Sequence, residues 1–256
     1  MSGVRVEGLT VGYGGKPILK DLSFSLESPF FLVVMGPNGA GKSTLLRTLV
    51  GVLKPYSGSV RVYGLDPWRR RREVRSVAAY VPQLMNIREE VPVTVEEIVA
   101  MGLLSKLPPP RLISTRVKEL VREVLALVDM AGYERKFFNQ LSGGQQKRVL
   151  IASALIRRPK ALILDEPGSM LDFKARCELM QLIEKIHVRR GTDVIMTSHE
   201  IPSCMTLEPD LLLLNRATYA FGKINEVLRR EILVKIYPGM TEREGLLILG
   251  EDHVKR

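Results

Sequence analysis

The stretch FFLVVMGPNGAGKSTLLRTL, Phe30 to Leu49, changes character twice. Phe30 to Met35 are continuously apolar, as in a strand buried on both faces of a sheet. Gly36, Gly39 and Gly41 then break the run, and the residues after Lys42 have helical periodicity. The pattern G-x-x-x-x-G-K-[ST] falls on Gly36, Gly41, Lys42 and Ser43, and average residue usage would produce it in roughly one chain in a hundred. A strand feeding a glycine-rich turn that opens a helix suits phosphate. Glycines let backbone N–H groups come close to the oxygens, and the helix N-terminus favours negative charge. Lys42 would bridge the β- and γ-phosphates of a nucleoside triphosphate, the Ser43 hydroxyl would ligate Mg²⁺, and Gly36, Asn38, Gly39, Gly41 and Thr44 would line the cradle. The competing reading, a plain strand-to-helix turn, does not explain the lysine and the hydroxyl at those spacings.

Upstream, VRVEGLTVGY and ILKDLSFSLE alternate as antiparallel strands joined by a Gly14-Gly15 turn. Tyr13 ends the first of them, where its ring could stack on a nucleobase. Downstream, SVRVYG is a further strand, and VRSVAAYVPQ runs from a basic helix into a strand that ends at Gln83. From about residue 84 the texture becomes helical: VTVEEIVAMGLL, a PPP loop at Pro108 to Pro110, then STRVKELVREVLALVDM with Ser114 or Thr115 as its cap. Strands resume at KALILDEP and TDVIMTSHE. The organisation is an α/β nucleotide-binding core, residues 1–83 and 151–225, with an antiparallel β subdomain and a helical subdomain, 84–150, inserted in it; 226–256 form a C-terminal extension of one domain, 1–256.

The second apolar strand, Ala161 to Leu164, delivers Asp165 towards a metal and Glu166 towards an attacking water. His199 follows the strand DVIMTS, within reach of a γ-phosphate at the same sheet edge; His187 and His253 lack that context. The Gln83 amide, at the junction with the helical insert, could touch Mg²⁺ or water. A second glycine pair sits in LSGGQ, Leu141 to Gln145. Ser142 can cap the helix that follows, and Gly143 and Gly144 leave N–H groups at the positive end of its dipole. This anion site lacks a lysine and a metal-binding hydroxyl, so by itself it is incomplete.

The net charge of +10 suits polyphosphates, an anionic membrane or nucleic acid, yet RRRR at Arg69 to Arg72 and the other basic runs are scattered, which favours a solvated surface. Cys177 and Cys204 stand too far apart in sequence to suggest zinc or a disulfide framework, so a reducing compartment is expected. FFLVVM and LLLL are far too short to span a bilayer, so the chain is expected to be soluble on its own.

In order along nearly the whole chain, Tyr13, the phosphate loop, Gln83, LSGGQ, LILDEP, SMLD at Ser169 to Asp172 and His199 resemble the nucleotide-binding subunit of ATP-binding-cassette transporters. The resemblance implies a P-loop ATPase that binds ATP and Mg²⁺, with Glu166, His199, Lys42 and Gln83 catalytic, Ser43, Gln83 and Asp165 on the metal, and Ser142, Gly143, Gly144, Gln145 and Asp172 reaching the nucleotide across a head-to-tail dimer. VPVTVEEIVAMGL after Gln83 and the short C-terminal extension resemble importers of metal chelates such as siderophores, cobalamin or haem. That implies a docking groove near Gln83 to Leu104 for a permease subunit, a solute-binding protein in the full system, and a cytoplasmic place on the inner face of the membrane. An exporter subunit and a soluble cassette ATPase are the alternatives. Nucleic acid is not expected as a partner, since the coiled coils and paired cassettes of nucleic-acid-processing relatives are not seen. Gly168 and Met170 depart from the Thr and Ala usual in the family, and Asn215-Arg216 replaces a glycine turn, where Asn tolerates the left-handed conformation better than Arg.

Overall fold

A computed structural model of the chain describes residues 3–83, 92–103, 113–199 and 204–237, and the backbone of 240–243 and 246–249. The proposed proline loop at 108–110, residues 84–91 and 104 of the docking groove expected near Gln83 to Leu104, and His253 lie outside the described residues. The chain divides into two compact units, one of residues 1–71, 197–201 and 208–256 and one of residues 72–196 and 202–207.

The first unit opens with a hairpin of β1 (Gly3–Tyr13) and β2 (Lys16–Glu27). Gly14 and Gly15, at φ 56° and 77°, make the two-residue turn whose twist matches that of the strands. Alternation puts Leu22, Phe24 and Leu26 of β2 inside and their neighbours outside. Next come β3 (Phe31–Met35), buried at every position, the helix α1 (Lys42–Leu49), and β4 (Ser57–Val62), which adds antiparallel to β1 so that the small sheet runs β2-β1-β4.

The second unit begins with α2 (Arg71–Val77), which leads directly into β5 (Ala78–Val81). Its helical part holds α3 (Val95–Met101) and α4 (Thr115–Leu127). Thr94 and Glu97 form a reciprocal capping box on α3, and the Thr94 backbone N–H and hydroxyl hold the Glu97 carboxyl below the usual carboxylate range. Ser114 takes the cap of α4, and Val117, Val121, Val124 and Leu125 form its buried stripe at helical spacing. The chain continues through α5 (Gly143–Leu155), β6 (Ala161–Leu164), α6 (Phe173–Arg190) and β7 (Asp193–Ser198). The strands β5, β6 and β7 pair in parallel, with Val81 opposite Leu164 and Leu164 opposite Met196. Such a sheet requires crossover helices, and α5 and α6 are the segments that precede β6 and β7.

Back in the first unit, β8 (Asp210–Asn215) pairs parallel to β3, and β9 (Thr218–Lys223) pairs antiparallel to β8. The expectation for the turn between them is corrected. Asn215 stays in the strand opposite Thr218, and Arg216 adopts the left-handed conformation at φ 54°. The reason is hydrogen bonding: Arg216 N donates to the Ala40 carbonyl (3.0 Å), and the Asn215 amide donates to the Ile236 carbonyl (2.8 Å). The short helices α7 (Ile224–Val227) and α8 (Arg230–Ile236) follow, then a hairpin of β10 (Met240–Arg243) and β11 (Leu246–Leu249).

A second correction concerns the cysteines, which are joined as a disulfide, Cys177 to Cys204, with Cα atoms 5.6 Å apart. Sequence spacing hid this because the 27-residue separation is closed in space by α6 and the returning chain. The same return is held a second time. The buried Glu184 carboxylate accepts from Thr206 N (2.8 Å), Leu207 N (2.9 Å) and the Thr206 hydroxyl (3.0 Å). Under denaturing, non-reducing conditions the chain is expected to resist alkylation by iodoacetamide at both cysteines and to take up the label at both once reduced, as read by mass spectrometry. Cys177→Ser should lower the thermal midpoint, since releasing a cross-link over a loop of this size removes roughly 3 kcal/mol of constraint on the unfolded chain.

Candidate nucleotide-binding and hydrolysis site

In the first unit, the loop between β3 and α1 curls around its own lysine. Lys42 is 5% exposed, and its ammonium donates to the carbonyls of Gly36 (2.9 Å) and Pro37 (3.3 Å). A buried ammonium is costly without acceptors, so the loop must bring its carbonyls inward. That turn runs through φ 155° at Gly36, 75° at Gly39 and 104° at Gly41. At Gly36 a Cβ would run into the Leu214 carbonyl, and at Gly41 into Leu19, so glycine is required at both. Gly41 is also the N-cap residue of α1, and the first N–H groups of a helix have no acceptor within it. Asn38 and Gly39 are exposed at the tip, Ser43 is partly buried, and Thr44 is buried with its carbonyl accepting from the Thr48 hydroxyl (2.8 Å). The arrangement pairs a cation with a row of backbone donors, which is what a polyphosphate requires. Tyr13, at the end of β1, is 44% exposed, and its hydroxyl accepts from Arg47 of α1 (3.0 Å), which fixes the ring's free edge. His199 is exposed directly beyond β7.

In the second unit, the carboxylates stand at the end of β6. Asp165 is 3% exposed; its N–H donates to the Val81 carbonyl (2.9 Å), and its Oδ2 accepts from the Tyr80 hydroxyl (3.1 Å). Glu166 is partly buried and held at φ 47°, a region a non-glycine residue enters only where the surroundings impose it. Gln83 and Glu166 are brought together: the Gln83 amide donates to Glu166 Oε2 at 2.6 Å. Two further residues, not singled out in the sequence, join them. Tyr80 is one. Lys147 of α5 is the other, its ammonium donating to the Gln83 carbonyl (2.7 Å). Burial pushes the Lys147 ammonium below the usual lysine value, against the opposing pull of Glu166 and Asp165. The tyrosine of AYVPQ and the lysine of LSGGQQKRV lie within a few residues of motif positions, which is the only signal the sequence offers for them.

The LSGGQ segment turns into α5 through a reciprocal box. Ser142 Oγ accepts from Gln145 N (3.4 Å), Gln145 Oε1 accepts from Ser142 N (3.1 Å), and the Gln145 amide also donates to the Tyr133 hydroxyl (3.3 Å). The hydroxyl and side-chain amide therefore serve the helix, while Gly143 and Gly144 hold its first N–H positions. A Cβ on Gly143 would sit 3.5 Å from Leu171, and one on Gly144 3.6 Å from Ala175, so the segment lies against the start of α6. There Asp172 is the N-cap residue, its Oδ1 accepting from Ala175 N (2.8 Å). Of the two departures from the resembled pattern, Met170 stands at φ 63° and is 87% exposed, and a side chain at Gly168 would press on Arg176, with a Cβ–Cγ distance of 3.0 Å.

A parallel strand delivering a glycine-rich loop around a buried lysine, and a second buried strand delivering paired carboxylates, define a P-loop nucleoside triphosphatase. The ABC transporter family profile matches residues 19–169, so the chain belongs to the ABC transporter family, as an ATP-binding, ATP-hydrolysing subunit. The chain is 34% identical over 236 residues to the manganese transport system ATP-binding protein MntB of Halalkalibacterium halodurans, covering 92% of each. Among solved structures it is similar to an ABC transporter described as of the metal-chelate type, in an inward-facing conformation (TM-score 0.81, 25% identity, 97% of this chain and 96% of that one). It is also similar to the dimeric structure of the bacterial ABC transporter cassette MJ0796 (TM-score 0.71, 27% identity, 86% and 98%). Among the described residues no helix is long and apolar enough to cross a membrane.

Ser142→Ala removes the cap of α5 and is expected to cost about 1 kcal/mol, whereas Ser142→Asp keeps a capping oxygen and should unfold close to the parent chain in a thermal melt.

Proposed function

We propose that this chain hydrolyses ATP to drive import of a transition metal, as the ion or as a chelate, through a separate permease. The similarity to the manganese transport subunit along most of both chains carries this reading, and the likeness to a transporter of the metal-chelate type supports it. The chain would sit in the cytoplasm on the inner face of the membrane, bound to permease subunits and served by a solute-binding protein. An exporter role would appear as co-purification with export permeases in place of import ones.

In this reading Lys42 and the amides opening α1 bind the β- and γ-phosphates, and Tyr13 stacks on the base. Ser43, Asp165 and Gln83 would hold Mg²⁺. The fit is chemical: a buried carboxylate, a hydroxyl and an amide are hard oxygen donors, and among the described residues no group of three His, Cys, Asp or Glu gathers to enclose a metal. Magnesium usually takes few protein ligands and completes its shell with phosphate and water. When bound it would offset charge on the phosphate oxygens. Glu166 orients the attacking water or takes its proton, and His199 holds the γ-phosphate in line.

The second glycine loop completes the site of a second copy. Gly143 and Gly144 would offer amides to a γ-phosphate held by the other chain's loop, with Ser142, Gln145 and Asp172 shaping that face. Met170 and Phe173, 87% and 68% exposed on either side of Asp172, support a protein partner there, because exposed apolar side chains at one point suit an interface. Glu166→Gln keeps the shape and removes the base. The expected result is unimpaired ATP binding, turnover reduced by roughly two orders of magnitude or more, and an ATP-bound dimer visible by light scattering. Undiminished steady-state hydrolysis by this variant would reject the role. The helix-preserving Ser142→Asp should also lose hydrolysis, because it sets an anion where the γ-phosphate would lie.

A further inference from the structure

We infer that Lys147 is a positioning residue that restrains hydrolysis, by holding Gln83 on the side chain of Glu166. This rests on the proposed role of Glu166 as the group that prepares water.

Three contacts carry it. The Lys147 ammonium donates to the main-chain carbonyl of Gln83 at 2.7 Å. From that fixed main chain the Gln83 amide reaches Glu166 Oε2 at 2.6 Å. Asp165 N donates to the Val81 carbonyl at 2.9 Å, which ties the start of the Gln83 segment to the end of β6. Lys147 stands two residues beyond Gln145, on the helix that the LSGGQ segment opens. A displacement of α5 is therefore transmitted to Gln83 by a charge-assisted hydrogen bond, and from Gln83 to Glu166 by a second one. A carboxylate oxygen that accepts a short bond from an amide has given one of its lone-pair directions to that donor, and a water approaching from the same side must displace it. The arrangement seen here thus occupies the Gln83-facing side of Glu166 Oε2 and competes with a water there, and Lys147 stabilises it. Lys147 is itself about half withdrawn from water, with Glu166 and Asp165 the charges acting on it. Its bond to Gln83 is accordingly weakly screened, and stronger than an exposed lysine contact would be.

The device also gives α5 an enzymatic role distinct from presenting LSGGQ. Any partner that moves the signature helix against the Gln83 segment stretches the Lys147 contact and frees that side of Glu166. Until then hydrolysis is held back.

The test compares the purified full-length chain with Lys147→Ala, Lys147→Gln and Lys147→Arg, measuring kcat and KM for ATP and the thermal midpoint. Alanine and glutamine are both good helix formers, so folded protein is expected from both neutral variants. Loss of one charge-assisted bond should shift the Gln83-occupied state enough to raise basal kcat roughly three- to tenfold, with KM within about twofold of the parent. Arginine, which retains a cationic donor, should return kcat towards the parent value. A merely structural lysine would lower kcat or leave it alone, so an unchanged or reduced kcat in both neutral variants overturns the inference. An arginine variant as fast as the alanine one does the same. If the parent chain hydrolyses ATP and Glu166→Gln abolishes it while the Lys147 variants do nothing, only this inference falls; if Glu166→Gln is as active as the parent, the proposed mechanism falls first.

Discussion

Burying the Lys42 ammonium is the constraint around which the first unit is arranged. An isolated cation withdrawn from water is unfavourable by several kcal/mol, and here carbonyls of its own loop, Gly36 and Pro37, accept from it. To supply them the backbone must turn back on itself directly after a strand. That requires glycine where a side chain would strike Leu214 or Leu19. The strand in turn must be rigid enough to hold the turn, and β3 is, with five buried residues and a parallel neighbour in β8. The apolar run, the glycines and the lysine are thus one device. A loop that can hold an ammonium among carbonyls can also exchange those carbonyls for phosphate oxygens, which bear more charge.

The second unit solves a different problem, that of holding a carboxylate at a strand end almost wholly out of water. Asp165 is almost wholly buried, and it receives a hydroxyl from Tyr80. Glu166, one residue on, is turned by its left-handed backbone to the side on which Gln83 and Lys147 lie. Two successive acids at a strand end, the second at positive φ, can face different tasks. This separation lets one strand serve both a metal and a water in the proposed chemistry.

Much of this was legible in the residues themselves. Alternating side chains marked β1 and β2, the Gly14-Gly15 turn joined them, and Ser142 was recognisable as a helix cap because a hydroxyl before two glycines and a long helix has few other uses. What could not be read were contacts made by partners distant in sequence. Cys177 and Cys204 meet only because α6 and the return after β7 lie side by side. Lys147 reaches Gln83 across 64 positions, and nothing in either segment names the other. Arg216 takes a conformation that intrinsic preference gives to Asn215, because the tertiary bonds to Ala40 and Ile236 outweigh a local cost of about 1 kcal/mol. Local chemistry wrote the elements and caps; tertiary hydrogen bonds decided which of several permitted local states was used.

The two glycine loops show why the division matters. In the first, a lysine is buried among carbonyls, and the loop can take a full negative charge. In the second, the polar side chains of Ser142 and Gln145 are spent on closing the helix end, which leaves amides and a dipole as what the loop can offer. Amides at a helix end are adequate to cap a phosphate already neutralised elsewhere and too weak to hold a triphosphate alone. The same physics that makes the second loop a poor independent site makes it a suitable sensor, since it gains most when another loop has already gathered the charge. Its report would then travel along α5, and the first polar contact on that path towards the carboxylates is the one between Lys147 and Gln83.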